Sequence, residues 1–97
     1  MTTKPQIYAV TVSAQALNQL KEACNYIHSQ GAPLAAQRMA ARFEATIETL
    51  ERHPQRGRQV SRGVYELVTV PPYVIRYRIQ RDAVEVVRIR HAAERPD

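Results

Sequence analysis

The sequence predicts an α+β domain with element order β-α-α-β-β-β, an N-terminal strand and a helical hairpin packed on one face of a small antiparallel sheet. Three observations carry this: a short β-branched run at the start, two consecutive stretches with apolar stripes at helical spacing, and three alternating runs towards the C-terminus. The 97 residues suffice for one compact domain, taken as 1–97.

Ile7 to Val12, Ile-Tyr-Ala-Val-Thr-Val, reads as the first strand. Ser13 can cap the helix that follows, in which Leu17, Leu20, Cys24 and Ile27 form one apolar stripe. Gly31 supplies a stop, and Pro33 fits the first turn of a second helix. Ala36, Ala40, Phe43, Ile47 and Leu50 make the second stripe, ended by Pro54. Residues 54–63 read as a basic loop, with Arg52, Arg56, Arg58 and Arg62 in or beside it. Strands are then expected at Val64–Val70, Tyr73–Ile79 and Val84–His91, separated by Pro71-Pro72 and by Gln80-Arg81-Asp82.

Helices can cover only one face of such a sheet. Tyr73, Ile75, Tyr77 and Ile79 should face them, together with Val87 and Ile89, because turning Arg88 and Arg90 inward would bury unpaired charge. That register pairs Tyr73 with His91, Ile75 with Ile89 and Tyr77 with Val87, and sets Arg76 opposite Arg88 on the open face. Facing cations repel, so an anion is expected beside them. Glu66 fits, provided the Pro-Pro connection spans Val70–Pro72 and pairs Glu66 with Arg76. The open face becomes a stripe of Arg76, Arg78, Arg88 and Arg90, edged by Val68, Val74, Val84 and Val86.

Charge is unevenly placed. The net charge is +5; residues 1–51 hold four cations against four acids, and residues 52–97 ten arginines against five acids. The surplus suggests an acidic or polyanionic partner for the C-terminal half. No apolar run is long enough for a membrane span, and the N-terminus has no apolar segment of the secretory kind, so a cytoplasmic location is expected. One cysteine, Cys24, on the first helix's apolar stripe, is read as a buried thiol; no metal-ligand spacing, phosphate-binding glycine loop or nucleophile motif is present, and no cofactor or metal is expected.

The element order, the segment His53-Pro-Gln-Arg-Gly-Arg58, the run Gly63-Val-Tyr-Glu-Leu-Val, the run Tyr73-Val-Ile-Arg-Tyr-Arg-Ile and the strand ending in His91 together resemble the ParE/RelE toxin superfamily, and more closely its ParE branch. The resemblance covers nearly the whole chain. It implies a toxin neutralised by a ParD-like antitoxin in a hetero-oligomer, with either DNA gyrase or ribosome-bound messenger RNA as target. RNA-cleaving members carry two lysines at the places of Glu66 and Val68, an arginine at the place of Val74, and another near Glu94. A carboxylate there repels a substrate phosphate, so no catalytic residue is expected and gyrase is the expected target. One RNase subgroup uses a histidine matching His91; here His91 is expected to pack on Tyr73 and fix the strand end. Arg76, Arg78, Arg88, Arg90, Arg58, Arg62 and Arg95 are the candidate partner-binding residues, and His91, Tyr73 and Glu66 the structural or possible functional ones. Direct sequence-specific DNA binding by this chain alone is not expected. The alternatives are a ribosome-dependent endoribonuclease and a non-toxic binding module.

Overall fold

A computed structural model describes residues 6–70 and 73–93. The elements are β1 (Ala9–Val12), α1 (Ala14–Ser29), α2 (Pro33–Leu50), β2 (Arg58–Ser61), β3 (Val64–Val70), β4 (Tyr73–Gln80) and β5 (Ala83–His91). They build a five-stranded sheet in the order β1-β5-β4-β3-β2, with both helices on one face. The α+β class and the helical hairpin agree with the sequence reading. Two details differ. Part of the expected basic loop is the edge strand β2, antiparallel to β3, and β1 lies parallel to β5, so the sheet is mixed rather than antiparallel.

Ser13 accepts a hydrogen bond from the Ala16 N–H at 3.0 Å, capping α1, and its hydroxyl donates to the Val87 carbonyl at 3.3 Å. One side chain thus stops β1, starts α1 and ties both to β5. Ser13→Ala is expected to cost about 1 kcal/mol or slightly more. A fall of about 4–8 °C in the thermal midpoint checks this.

The α1 stripe sits slightly round from the expected one. Ala16 and Ala23 are buried, with Leu20, Cys24 and Ile27 packed beside them, while Leu17 is exposed. Small residues face inward because α1 lies close against α2 and β5. Cys24 is half-buried, and burial pushes its thiol pKa up, which suits a packing role. On α2 the buried positions are Ala36, Met39, Phe43, Thr46 and Leu50, with Ile47 partly buried. Gly31 adopts φ +78° in the link, a conformation that glycine takes without strain.

The sheet register follows expectation at its centre. Tyr73 pairs with His91, Ile75 with Ile89 and Arg76 with Arg88. A bulge then intervenes between Arg76 and Tyr77, so Tyr77 pairs with Val86 rather than Val87. In consequence Val84 and Val86 are fully buried against the helices and do not edge the open face, and Val87 is only half-buried. Glu66 pairs with Arg76 as predicted, but by another route: a second irregularity between Val68 and Val70 restores the phase. The Pro71-Pro72 connection itself lies outside the described residues.

Candidate functional site

The candidate site is built on the sheet face away from the helices. Alternation puts Glu66 of β3, Arg76 of β4 and Arg88 of β5 side by side, with Arg90 and Val74 as the next cross-strand pair. Glu66 is 9% exposed and Arg90 8%, unusual for charged groups on a face that no helix covers. The burial is supported by pairing. One carboxylate oxygen, Oε2, accepts from Arg76 Nε at 3.0 Å and lies 2.8 Å from Arg76 Nη2. Arg90 Nη2 reaches the other oxygen, Oε1, at 3.4 Å. Burial alone raises the Glu66 pKa, but the hydrogen bonds and positive charges of Arg76 and Arg90 outweigh it and hold the carboxyl below the ordinary glutamate range. Further along the ladder Arg78 pairs with Glu85 at 2.8 Å, in an exposed bridge that contributes little to stability.

The expected arginine stripe is therefore half neutralised from within, its four guanidiniums set against two carboxylates. Arg90 is enclosed rather than presented, and Arg76 is held by Glu66. Arg88 is half-buried, and the bulge beside Arg76 sets it at the join between the two halves of the ladder. Arg58 and Arg62 are exposed on β2 and at its turn; Arg58 pairs in register with Glu66. Arg95 lies outside the described residues, as does Glu94.

Beside this cluster is a groove of about 390 Å³ lined by Arg58, Glu66, Val68, Val74 and Arg90, with Arg56 and Gly57 on its wall. Val68 is 58% exposed and forms the apolar rim. Gly57 explains the Gly-Arg segment. Its N–H donates to the Tyr77 hydroxyl at 2.9 Å, and a Cβ placed on it would stand 2.6 Å from that hydroxyl and 2.7 Å from the Glu66 carbonyl oxygen. The segment is legible in the sequence as a family feature, but its partner is not, because Tyr77 is twenty residues away.

His91 sits at the end of β5. Its ring meets Tyr73 edge-on at 5.4 Å between centroids, and Tyr73 in turn meets Phe43 at 6.2 Å. Nδ1 accepts from the Ala93 N–H at 3.0 Å, which fixes the chain as it leaves the strand. The histidine is thus tied into an aromatic run from the core to the sheet end. Among the described residues no group of three or more His, Cys, Asp or Glu could hold a metal ion, and no helix is long and apolar enough to cross a membrane.

A family model described as ParE toxin of the type II toxin–antitoxin system, parDE, matches residues 10–96. The chain belongs to this toxin family. Among its relatives, Toxin RelE2 of Caulobacter vibrioides is 49% identical over 79 residues, spanning 81% of this chain and 89% of that protein. Putative toxin Y4kP of Sinorhizobium fredii is 39% identical over 80 residues, spanning 80% and 81% respectively. Two solved structures share the fold: the chromosomal ParDE system of P. aeruginosa (TM-score 0.75, 15% identity, 88% of this chain and 96% of that chain) and RelBE2 of Mycobacterium tuberculosis (TM-score 0.65, 24% identity, 96% and 100%). Toxins named for both branches of the superfamily thus stand beside this chain, which is a type II toxin of the ParE/RelE superfamily; the branch names do not separate gyrase from messenger RNA as target.

Proposed function

We infer that this toxin acts by binding DNA gyrase, without itself performing chemistry, and is neutralised by a ParD-like antitoxin. The observation that carries the reading is Glu66. RNA cleavage on this face needs cations free to hold a scissile phosphate and its developing charge. Here a buried carboxylate already occupies Arg76 and Arg90, and Val68 and Val74 provide no charge beside it. A phosphate entering the groove meets an anion whose proton affinity is depressed, so Glu66 remains charged at neutral pH.

The apolar rim and the exposed Arg58 and Arg62 suit a protein partner, with charge matching assisting encounter. The antitoxin partner is supported by the toxin–antitoxin complexes that share this fold. The names of the RelE relatives favour a second reading, a ribosome-dependent endoribonuclease using His91. Against it, such a histidine needs cations beside it to hold the scissile phosphate, and Glu66, Val68 and Val74 provide none; the His91 ring itself is packed on Tyr73.

A supercoiling assay with purified gyrase tests the gyrase reading. The full chain should inhibit supercoiling or accumulate cleaved plasmid, and His91→Ala should inhibit equally if it folds. Unimpaired supercoiling at saturating toxin would reject gyrase as the target.

A further inference from the structure

The second basic region lies on the helical side, and it is not neutralised in the same way. On α2, Arg38, Arg42, Ala45 and Thr49 follow one another at steps of four, three and four, and so share a face beside the buried one. Glu44 falls on the other flank of the helix, while Glu48 and Glu51 line an adjoining depression that shares Ala45 and Thr49 and bound this face on one side. Arg38 and Arg42 are exposed, with no ion-pair partner among the described residues. Between α2 and the loop before β2 is a depression of about 270 Å³ lined by Arg42, Ala45, Thr46, Thr49 and Arg56, with no acid in its wall.

Arg56 is held in place there. Its Nη1 donates to Thr49 Oγ1 at 2.7 Å, while the Thr49 hydroxyl donates to the Thr46 carbonyl at 2.6 Å. The backbone is fixed on both sides, Arg56 N–H to the His53 carbonyl at 3.2 Å and Gly57 N–H to Tyr77 at 2.9 Å. The guanidinium is pre-positioned opposite Arg42 across a floor of small side chains. Such an arrangement fits a phosphate oxygen pair, since Arg presents a planar fork and the alanine floor allows close approach.

We propose that this face of α2, from Arg38 through Arg42 to Arg56, docks on the backbone of duplex DNA without reading its sequence. A duplex is favoured over a single strand because none of these residues is aromatic, and single strands are held largely by stacking on aromatic rings. The Thr49 hydroxyl already donates to Thr46 and accepts from Arg56, so it has no proton left to give a ribose oxygen. A duplex RNA of the same length that binds more tightly than the DNA duplex in the same titration would overturn the choice of DNA. The proposal stands apart from the target reading above, because it concerns the toxin and DNA alone.

Fluorescence anisotropy of a labelled, mixed-sequence DNA duplex, titrated with the full chain over a range of salt, tests this. Binding should weaken steeply with salt. Arg42→Ala/Arg56→Ala should reduce the slope of log affinity against log salt by about 1.8, about 0.9 for each phosphate no longer neutralised. A control removing the same charge elsewhere, Lys21→Ala/Arg81→Gly, should leave the slope near that of the unaltered chain. Arg38→Glu/Arg42→Glu, confined to exposed helix positions, gives the same readout without touching the loop, and thermal midpoints confirm that each variant folds. Absence of duplex binding, an equal fall in slope for the Arg42/Arg56 variant and the control, or binding to a glutamate-rich peptide in place of the duplex would overturn the proposal; the last would make the face a docking site for an acidic protein segment.

Discussion

Replacing Glu66 by alanine is expected to lower stability by about 3–5 kcal/mol, because it leaves the Arg76 and Arg90 guanidiniums without the carboxylate they share. Arg90 is nearly enclosed and Arg76 only 22% exposed, so water cannot readily take the place of the missing anion. Small domains hold about 5–15 kcal/mol in all, which brings this variant close to unfolding. The thermal midpoint should fall by about 12 °C or more. The cost lies in leaving buried positive charge without its counter-ion rather than in losing a bond. Replacing Glu66, Arg76 and Arg90 together by apolar residues of similar volume should therefore restore much of the stability. A triple variant no more stable than Glu66→Ala would show that the cluster contributes in some other way.

The same cluster sets an acid limit. The folded-state pKa of Glu66 lies below its ordinary value, so the folded state binds this proton less readily than the unfolded chain does. Its contribution is fully present above the ordinary glutamate value of about 4.3 and is lost as pH falls from there through the lower folded-state value. Stability measured against pH should steepen in that window, and the steepening should be missing in the apolar triple variant.

Gly57→Ala is the second large effect. The added methyl meets the Tyr77 hydroxyl and the Glu66 carbonyl, and neither can yield easily. Tyr77 is fully buried and stacked on Tyr65 at 5.6 Å, and Glu66 is fixed in the β3–β4 ladder. Overpacking of this kind costs about 1–3 kcal/mol, and loss of the Gly57 N–H bond to a buried hydroxyl adds to it. A destabilisation of about 2–4 kcal/mol is expected in denaturant unfolding. Tyr77→Phe removes the hydroxyl in the way, so the alanine should be better tolerated on that background, and the two substitutions should be non-additive. Full additivity would mean that Tyr77 is not what constrains the glycine.

Much of this fold is written in local patterns. Ser13, Gly31 and Pro33 mark helix ends by chemistry that acts within a few residues, and the structure uses Ser13 and Gly31 as read. The Arg76–Arg88 pair and its anion can be inferred because like charges facing across a ladder demand one. The strand β2 is hidden for the opposite reason. Arg58–Ser61 is exposed throughout, with no alternation of apolar and polar residues to mark a strand, and it exists because β3 offers it an edge. The parallel pairing of β1 with β5 brings together residues more than seventy positions apart, which no local pattern encodes. Bulges are equally hard to read. One extra residue near Tyr77 moves Val84 and Val86 into the core, and with them goes the expected apolar border.

That shift alters where a partner should be sought. Alternation alone turns the excess charge of the sheet arginines outward, yet three of them are paired with Glu66 and Glu85, which offset two of the four charges. The outward charge lies instead on Arg58 and Arg62 at β2 and on the α2 face with Arg56.

The central claim, that this toxin performs no RNA chemistry on its sheet face, is tested most directly by messenger RNA cleavage on programmed ribosomes with the purified full chain. The expected result is intact message at toxin concentrations that act on gyrase. Cleavage in the ribosomal A site that disappears with His91→Ala, in a variant shown to be folded, would contradict it.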